Sequence, residues 1–452
     1  MKSLYTRFVS AVVFPLQEWL KKHDTVRRLR QLEQSQWLPL ASLQQQQNTK
    51  LQQFIATACQ QVPYYRTLLQ QLNLTPADFQ SVADLAKLPF LTKAVITDNF
   101  EQLKAANAGP LKRFNTGGSS GQPLIFLLGN ERVSHDVAAK WRATRWWDVD
   151  IGDKEIVAWG SPIELGAQDR TRLLRDMLFR SQLIPAFDMS EQKLLAFLQR
   201  IRDYQPKMLF GYPSVYHLLA QTAQKHGITM NDLGIKVVFV TSERLYPYQR
   251  ELIEQVFAAP VANGYGGRDA GFIAHQCPAG GMHLSFEDIV VEIIDPVSNQ
   301  VLPAGQAGEI VVTHLATSEF PFIRYRTGDI ATLATEPCSC GRSLPLLQSI
   351  EGRSTDFVVA ADGTMMHGLA LIYILRDLDG IAAFKIIQHS LSLTTVQLVW
   401  PAGNLPDTIS SQIRSGFQAR LGDNVHIEIE QLNEIAPEKS GKYRYVISKV
   451  TT

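Results

Sequence analysis

The sequence predicts an α/β fold: a large N-terminal domain over residues 1–352, with mixed, partly parallel β-sheets and flanking helices, and a small α+β domain over residues 353–452. Three observations carry this expectation. At 452 residues the chain exceeds one average core and suits one large and one small domain. Between about Asn107 and Pro260 short apolar runs alternate with longer amphipathic segments, the signature of strand–helix alternation. After Arg353 the pattern restarts in a unit of about a hundred residues, enough to fold alone.

The opening MKSLYTRFVSAVVFPLQEWLKK sets Lys2 and Arg7 before an apolar run from Phe8 to Leu16. Pro15 interrupts the run and no small-residue cleavage site follows, so it does not read as a signal peptide. It reads as a helix packed on its own domain, with a membrane surface or a partner protein as the alternative. From Leu16 to about Leu69 apolar residues such as Leu20, Val26, Leu29 and Leu32 recur at helical spacing, and Gln44–Gln47 fits an exposed helix face. A loop is expected around Pro89–Lys93. KEIVAWG (Lys154–Gly160), PKMLFGY (Pro206–Tyr212) and IKVVFV (Ile235–Val240) read as buried strands, and Glu191–Tyr204 and Pro247–Phe257 as helices. From Leu284 to Leu333 the chain is β-rich, with turns such as Asp295-Pro296 between runs. In the C-terminal unit a helix near Leu369–Leu378, two alternating strands, a helix at Asp407–Leu421 and a strand at Val425–Gln431 are expected.

Composition excludes several classes. Apolar residues are 45 % and charged residues 19 %, the balance of a soluble globular protein. The 44 basic and 43 acidic side chains nearly cancel, so overall charge gives no reason to expect nucleic acid or an anionic membrane as the main partner. No run approaches the ~20 apolar residues that span a bilayer. The four cysteines, Cys59, Cys277, Cys338 and Cys340, are too few for a disulfide framework and fit a reducing cytoplasm.

Several segments carry chemistry. FNTGGSSGQPLIF (Phe114–Phe126) sets Gly117, Gly118 and Gly121 among Thr116, Ser119 and Ser120 between two apolar runs. Such a loop serves equally as a hairpin turn or as a phosphate cradle of backbone N–H and hydroxyl donors. It is not a Walker loop, because no Gly-Lys-Ser/Thr follows. TGGSSGQP resembles the Thr/Ser/Gly-rich loop of the adenylate-forming superfamily of acyl-CoA synthetases, peptide-synthetase adenylation domains and luciferases, with Gln122 where that family often has Lys. NGYGGRDAG (Asn263–Gly271), FIRYRTGD (Phe322–Asp329), IEGRSTDF (Ile350–Phe357) and APEKSGKYRYV (Ala436–Val446) follow in the family's order. With VPYYR, LFGYPSVYHLLA and TSERLY, they make the chain similar to the phenylacetate–CoA ligase branch and its CapK-type, capsular-polysaccharide-associated relatives.

The resemblance implies roles for individual residues. Thr116–Gly121 would cradle the phosphates of ATP. Asn263 would bond the adenine amine, Tyr265 would stack on the ring and Gly266 would continue that segment. Asp269 stands where the family has a Glu ligand of Mg²⁺, and keeps the hard oxygen donor on a shorter arm. Arg268, in place of Thr or Ser, would face the α-phosphate. Asp329 would accept from the ribose hydroxyls and Arg353 would contact ribose or phosphate. The hinge position falls at Thr355, with Asp356 next. Lys442, in a Ser-Gly-Lys turn, would enter the site during adenylation and offset negative charge on the reacting oxygens.

Cys277 and His283 flank PAGGM, and Cys338 and Cys340 form Cys-x-Cys. Together they make a Cys₃His set of the kind that structural Zn²⁺ uses, against reduced thiols as the alternative. Similar loops in CapK-like relatives lean the reading to zinc, structural and not catalytic. Trp141, Trp146, Trp147, Trp159 and Tyr212 fit either core packing or an aryl pocket, core being favoured; Tyr212 and Ser214 are the better pocket candidates.

The expected function is ATP-dependent activation of a carboxylic acid to acyl-AMP, then transfer to coenzyme A. Transfer to an amine or sugar in polysaccharide synthesis, or a non-catalytic nucleotide-binding accessory role in such machinery, are the alternatives.

Overall fold

The structure, a computed structural model, describes residues 3–115, 124–159, 170–186, 190–353, 357–363, 365–367, 369–376, 378–435 and 445–450. They fall into two compact units. The larger comprises Met1–Thr327 and Ala331–Ile350, and the smaller comprises Gly328–Ile330 and Glu351–Thr452.

The larger unit opens with helices. Leu40–Gln61 and Pro63–Gln71 bury Leu51, Phe54, Ile55, Tyr65 and Leu69 in one cluster. Gln44–Gln47 lies in the first of these, but it is not wholly exposed. Gln47 is buried and its amide donates to the carbonyls of Phe286 and Ile289. A helix face that docks on a loop has carbonyls to satisfy, and a buried amide does so.

A hairpin of β1 (Lys112–Asn115) and β2 (Ile125–Leu128) follows. Next come β3 (Glu155–Trp159), β4 (Ser181–Pro185), β5 (Met208–Gly211), β6 (Val237–Thr241) and β7 (Val261–Gly267). They lie side by side as β4-β3-β5-β6-β7, all parallel. The helices Arg170–Phe179, Glu191–Tyr204, Pro213–Lys225 and Pro247–Phe257 connect them.

Alternate strand residues go to opposite faces. Ile156, Ala158, Leu209, Val238 and Val240 pack with the helices on one side, through Leu198, Ile201, Val215, Tyr216, Ile253 and Phe257. Met208, Phe210, Val237 and Phe239 pack on the other with Ala143 and Val149. Burial on both faces is why these strands read as continuous apolar runs.

Beyond β7 the sheet turns antiparallel through β8 (Gly271–Gln276), β9 (Met282–Leu284) and, further along the chain, β13 (Leu346–Arg353). It ends in β12 (Tyr325–Leu333), β11 (Ala307–His314) and β10 (Ile289–Ile294), making eleven strands.

The smaller unit has a hairpin of β14 (Phe357–Val359) and β15 (Met365–His367). Its four-stranded sheet has the order β18-β17-β16-β19, from β16 (Ala383–Ser390), β17 (Leu393–Val399), β18 (His426–Leu432) and β19 (Val446–Ser448). Ile413, Phe417 and Leu421 of the helix Asp407–Leu421 are buried. The buried Gln388 pins β14 to β16 by exchanging two hydrogen bonds with Val359, at 2.9 and 2.7 Å.

Candidate functional site

In an open α/β sheet ligands bind beyond the carboxyl ends of the parallel strands, where the chain order reverses. Here the reversal falls between β3 and β5, since β4 lies on one side of β3 and β5 on the other. At those strand ends Trp159 stacks on Tyr212 with ring centroids 4.7 Å apart. Ser214 follows Tyr212 at a helix start, and its N–H donates to Glu243 of the neighbouring TSERLY segment at 3.2 Å. Within that segment Ser242 holds φ +70°, a conformation non-glycine residues adopt rarely. The register Gly211↔Val240 and Thr241↔Gly264 then sets the ends of β5, β6 and β7 side by side.

Trp146 and Trp147 pack, with Trp159, against the cluster of Phe210 and Phe239. Trp146 contacts His283, Trp147 donates to the carbonyl of Gln276, and Trp141 packs in a separate cluster with Ala138 and Ile151.

From β7 the chain enters a glycine-rich hairpin into β8. A Cβ on Gly264 would come 2.9 Å from the Phe239 ring, and one on Gly266 would lie 2.0 Å from the Gly271 carbonyl oxygen. Only glycine permits that approach. A register shift between Tyr265 and Gly266 leaves Tyr265 half-buried and Arg268 exposed at the tip.

Asp269 is held from both sides of its carboxylate. The Tyr325 hydroxyl donates to Oδ2 at 2.7 Å, and the Ala270 N–H donates to Oδ1 at 3.0 Å. Tyr325 is wholly buried, with Phe322 edge-on at 5.0 Å. Beneath the hairpin the buried Arg132 donates to the carbonyls of Arg268 and Asp269, each at 3.3 Å, and pairs with Asp136 at 2.9 Å. His135 and His314 flank Asp136. Burial would raise the Asp136 carboxyl, but the charge of Arg132 and hydrogen bonds from the two histidines hold it well below the usual range.

Thus two chemistry-bearing segments, 263–271 and 322–327, meet through Tyr325 and Asp269. Asn263 is on β7, where its N–H donates to the side chain of Gln276. Asp329 is on β12, and Arg353 closes β13, its side chain outside the described residues. Thr116, Gly117, Gly118, Ser119, Ser120, Gly121, Thr355, Asp356 and Lys442 also lie outside them.

Sequence reasoning gave no role to Tyr325, although FIRYRTGD contains it. It passed over Arg132 entirely, because an Arg in an amphipathic helix reads as solvent-facing.

At the other end of β8 the structure brings Cys277, His283, Cys338 and Cys340 together, one ligand atom of each within 4.8 Å of all the others. His283 sits on β9, between β8 and β13. Its Nδ1 faces the Leu344 carbonyl at 3.2 Å, which leaves the lone pair of Nε2 toward Cys340 Sγ, 3.2 Å away. Cys277 Sγ is 3.6 Å from Cys338 Sγ. A tetrahedron with metal–sulfur bonds of ~2.3 Å has edges near ~3.8 Å, so the spacing suits a metal with thiolate and imidazole ligands.

A Cβ on Gly281 would lie 2.6 Å from Cys338 Sγ, so this glycine makes room for the thiol. Burial pushes the Cys277 thiol up to about 12 and the His283 imidazole down to about 4. Burial also acts on Cys340, but the Arg342 N–H and guanidinium outweigh it and lower that thiol. Arg342 lies between the rings of Trp37 and Trp146, at 4.9 and 4.7 Å, and bonds Gln36. The knuckle is thereby tied to the N-terminal helices.

Comparison with solved structures places the architecture. A 2-hydroxyisobutyryl-CoA ligase in complex with R3-HIB-AMP, in the postadenylation state, superposes with TM-score 0.73 over 91 % of this chain and 91 % of that one, at 21 % identity. ATP-bound MatB from Rhodopseudomonas palustris gives 0.51 over 74 % of this chain and 66 % of that one, at 16 % identity. The fold is that of the adenylate-forming proteins.

Relatives narrow the class. Protein CapK of Staphylococcus aureus is 23 % identical over 446 residues, 98 % of this chain and 96 % of that protein. The phenylacetate-coenzyme A ligase of Pseudomonas putida is 28 % identical over 346 residues, 75 % of this chain and 76 % of that one. Residues 358–449 match the CapK C-terminal domain. This chain is thus similar to CapK and to the phenylacetate-coenzyme A ligases, and its residues 358–449 match the CapK C-terminal domain.

Proposed function

We propose that this protein is an ATP-dependent acid ligase. The observation that carries the reading is the Tyr325–Asp269 hydrogen bond, which joins the adenine-binding and ribose-binding segments of the family pattern at the end of a doubly wound sheet. A carboxylate oxygen of the acid attacks the α-phosphorus of ATP, the bond to the bridging oxygen of pyrophosphate breaks, and acyl-AMP forms. A thiol sulfur of coenzyme A then attacks the acyl carbon, AMP leaves and the thiol proton passes to solvent.

Tyr265 and Asn263 orient the adenine, Thr116–Gly121 and Arg268 hold phosphates, Asp329 and Arg353 hold the ribose, and Lys442 offsets charge on the reacting oxygens. Asp269 would hold Mg²⁺, which supplies neutralisation of phosphate charge; with Oδ1 and Oδ2 each taking one hydrogen bond, the carboxylate retains lone pairs for it. The smaller domain, 353–452, swings about residues 353–356 between the two half-reactions. Tyr212, a pocket candidate from the sequence, is buried in the core with Trp159 packed against it, so the pair does not identify the acid.

An amine or sugar hydroxyl in place of coenzyme A is the second reading, on the resemblance to CapK, which aligns with 98 % of this chain. Pyrophosphate release across a panel of carboxylic acids tests the activity and identifies the acid. Supplying coenzyme A or an amino sugar with the preformed acyl-AMP decides the acceptor. No release with any acid, together with ATP binding, would leave only an accessory nucleotide-binding role.

The Cys277, His283, Cys338 and Cys340 set holds one structural Zn²⁺. With all four protein ligands used the site is closed to substrate. Protein purified without chelator should carry about one zinc per chain by elemental analysis, and none would sink the assignment.

A further inference from the structure

The N-terminal run of helix, Leu4–Phe8, a π turn at Val9–Val13, and Phe14–Leu20, has two unlike faces. Thr6, Val9, Phe14 and Glu18 are buried, and Val9 and Phe14 pack with Leu29, Leu32, Ala138 and Ile151. Away from that core Leu4, Phe8, Val12, Leu16, Trp19 and Leu20 are exposed, at 85, 56, 49, 54, 71 and 67 %. Residues spaced by four drift by about 40° per step on a 3.6-residue helix, and the wider π turn takes part of that drift back. Pro15 cannot donate to the preceding turn, which is a physical reason for the wide turn to sit just before it. The result is one apolar stripe along the run.

The stripe is extended by a second helix. Tyr5 donates to the Leu178 carbonyl at 2.9 Å, and Phe14 meets Phe179 edge-on at 6.2 Å. On this helix Leu174 and Met177 are 56 and 70 % exposed. An exposed apolar area built from two helices is more than the scattered surface residues of an ordinary monomer.

The exposed charges of the run itself have one sign, with Asp153 bonded to Thr6 and Asp176 on the second helix as the neighbouring acids. The acid of the run, Glu18, is buried under Thr25, His23 and Lys21. Arg7, Lys21 and Lys22 are exposed at the ends of the stripe. Arg175 and Lys112 stand close enough to Lys21 to repel its charge; Glu18 partly offsets Lys21 and Asp176 partly offsets Arg175. The near neutrality of the whole chain conceals this local excess.

We propose that this face docks the chain on an anionic lipid bilayer, the apolar stripe entering the headgroup–acyl boundary and Arg7, Lys21, Lys22 and Arg175 meeting lipid phosphates. Apolar residues with Trp on one side and cations at the rim are what lets a helix lie in that interface. No helix among the described residues is long and apolar enough to cross it. A second copy fits less well, because a twofold contact sets the same patch against itself and brings like cations together.

Flotation of the full chain with vesicles is the test. The chain should rise with phosphatidylcholine vesicles containing about 30 % phosphatidylglycerol. Binding should fall at least about tenfold on pure phosphatidylcholine or in ~0.5 M salt. Phe8→Ser with Trp19→Ser should weaken it at least about thirtyfold, and Arg7→Glu with Arg175→Glu about tenfold, at unchanged melting temperature. The charge pair carries the test if the apolar pair fails to fold. Failure to float, or binding indifferent to the variants, overturns the proposal. A dimer in gel filtration that the Phe8 and Trp19 changes dissolve, without flotation, gives the face to a second copy and overturns it equally.

Discussion

At one end of β8 the chain turns through Gly266 and Gly267 to a carboxylate, Asp269, held by one buried hydroxyl and the backbone. At the other end it runs into Cys277, where three thiols and an imidazole converge with their own supporting ring of Leu344, Arg342 and Trp146. The first end is made of backbone freedom and leaves lone pairs to spare. The second is made of side-chain donors whose number would fill the coordination of one tetrahedral ion. A site that must take and release a nucleotide needs the former, and a staple needs the latter. The same strand supplies both because its two ends face different loops.

The largest expected effect separates the ends most sharply. Lys442→Ala should cut pyrophosphate release by about 10²–10³ while transfer from preformed acyl-AMP stays within a few fold, since a charge placed only for adenylation acts only there. Equal loss in both half-reactions would remove that role. Cys338→Ser attacks the opposite end. It should abolish bound zinc and lower stability by on the order of 3 kcal/mol, with kcat per folded molecule little changed. If kcat collapses while stability holds, the staple reading is wrong and the metal is closer to the chemistry.

The two ends were not equally legible. Cysteine and histidine are scarce and chemically specific, so four of them in two short segments stand out as one set even across the stretch from His283 to Cys338, and the structure brings them together. The parallel strands are legible because burial on both faces leaves near-continuous apolar runs. Burial of polar groups leaves no such trace. Gln47 looks like part of a solvated glutamine tract until Phe286 and Ile289 present carbonyls to it. Arg132, His135 and Asp136 fall on a helix whose sequence reads as mixed and charged, and only tertiary packing shows them under the Asp269 turn. The apolar stripe from Leu4 to Leu20 reads as core-facing by periodicity, yet the residues that pack are those between.

Between the two ends, His275 lies buried in β8 and His314 lies beside Gly271. Burial, helped by the charges of Arg142 and Arg132 respectively, lowers each imidazole to about 3. In the unfolded chain a histidine titrates near ~6.5. Below that value the unfolded state binds protons that the folded state refuses, so stability is full above ~6.5 and is lost as pH falls toward 3. Urea unfolding should therefore show a loss of up to about 4 kcal/mol between pH 7 and pH 5, roughly halved in His314→Gln. A flat profile over that range would show that the centre of the strand is open to water and is no rigid link between its ends.

The smallest effect is the most diagnostic of the nucleotide end. Tyr325→Phe removes one hydroxyl from a wholly buried ring and keeps its packing against Phe322. The net worth of such a hydrogen bond is about 1 kcal/mol, so the melting temperature should move by only a few degrees. If the hydroxyl's task is to aim Asp269, the larger change appears elsewhere: the Mg²⁺ concentration for half-maximal pyrophosphate release should shift about three- to tenfold, because an unaimed carboxylate binds the ion in more than one pose. A purely structural tyrosine would lower stability and leave the Mg²⁺ dependence alone. Asp269→Asn distinguishes the causes, since it keeps an acceptor for the Tyr325 hydroxyl but removes the charge. It should weaken the Mg²⁺ dependence further than Tyr325→Phe does, and a smaller shift than the tyrosine variant would mean that Asp269 is not the ligand.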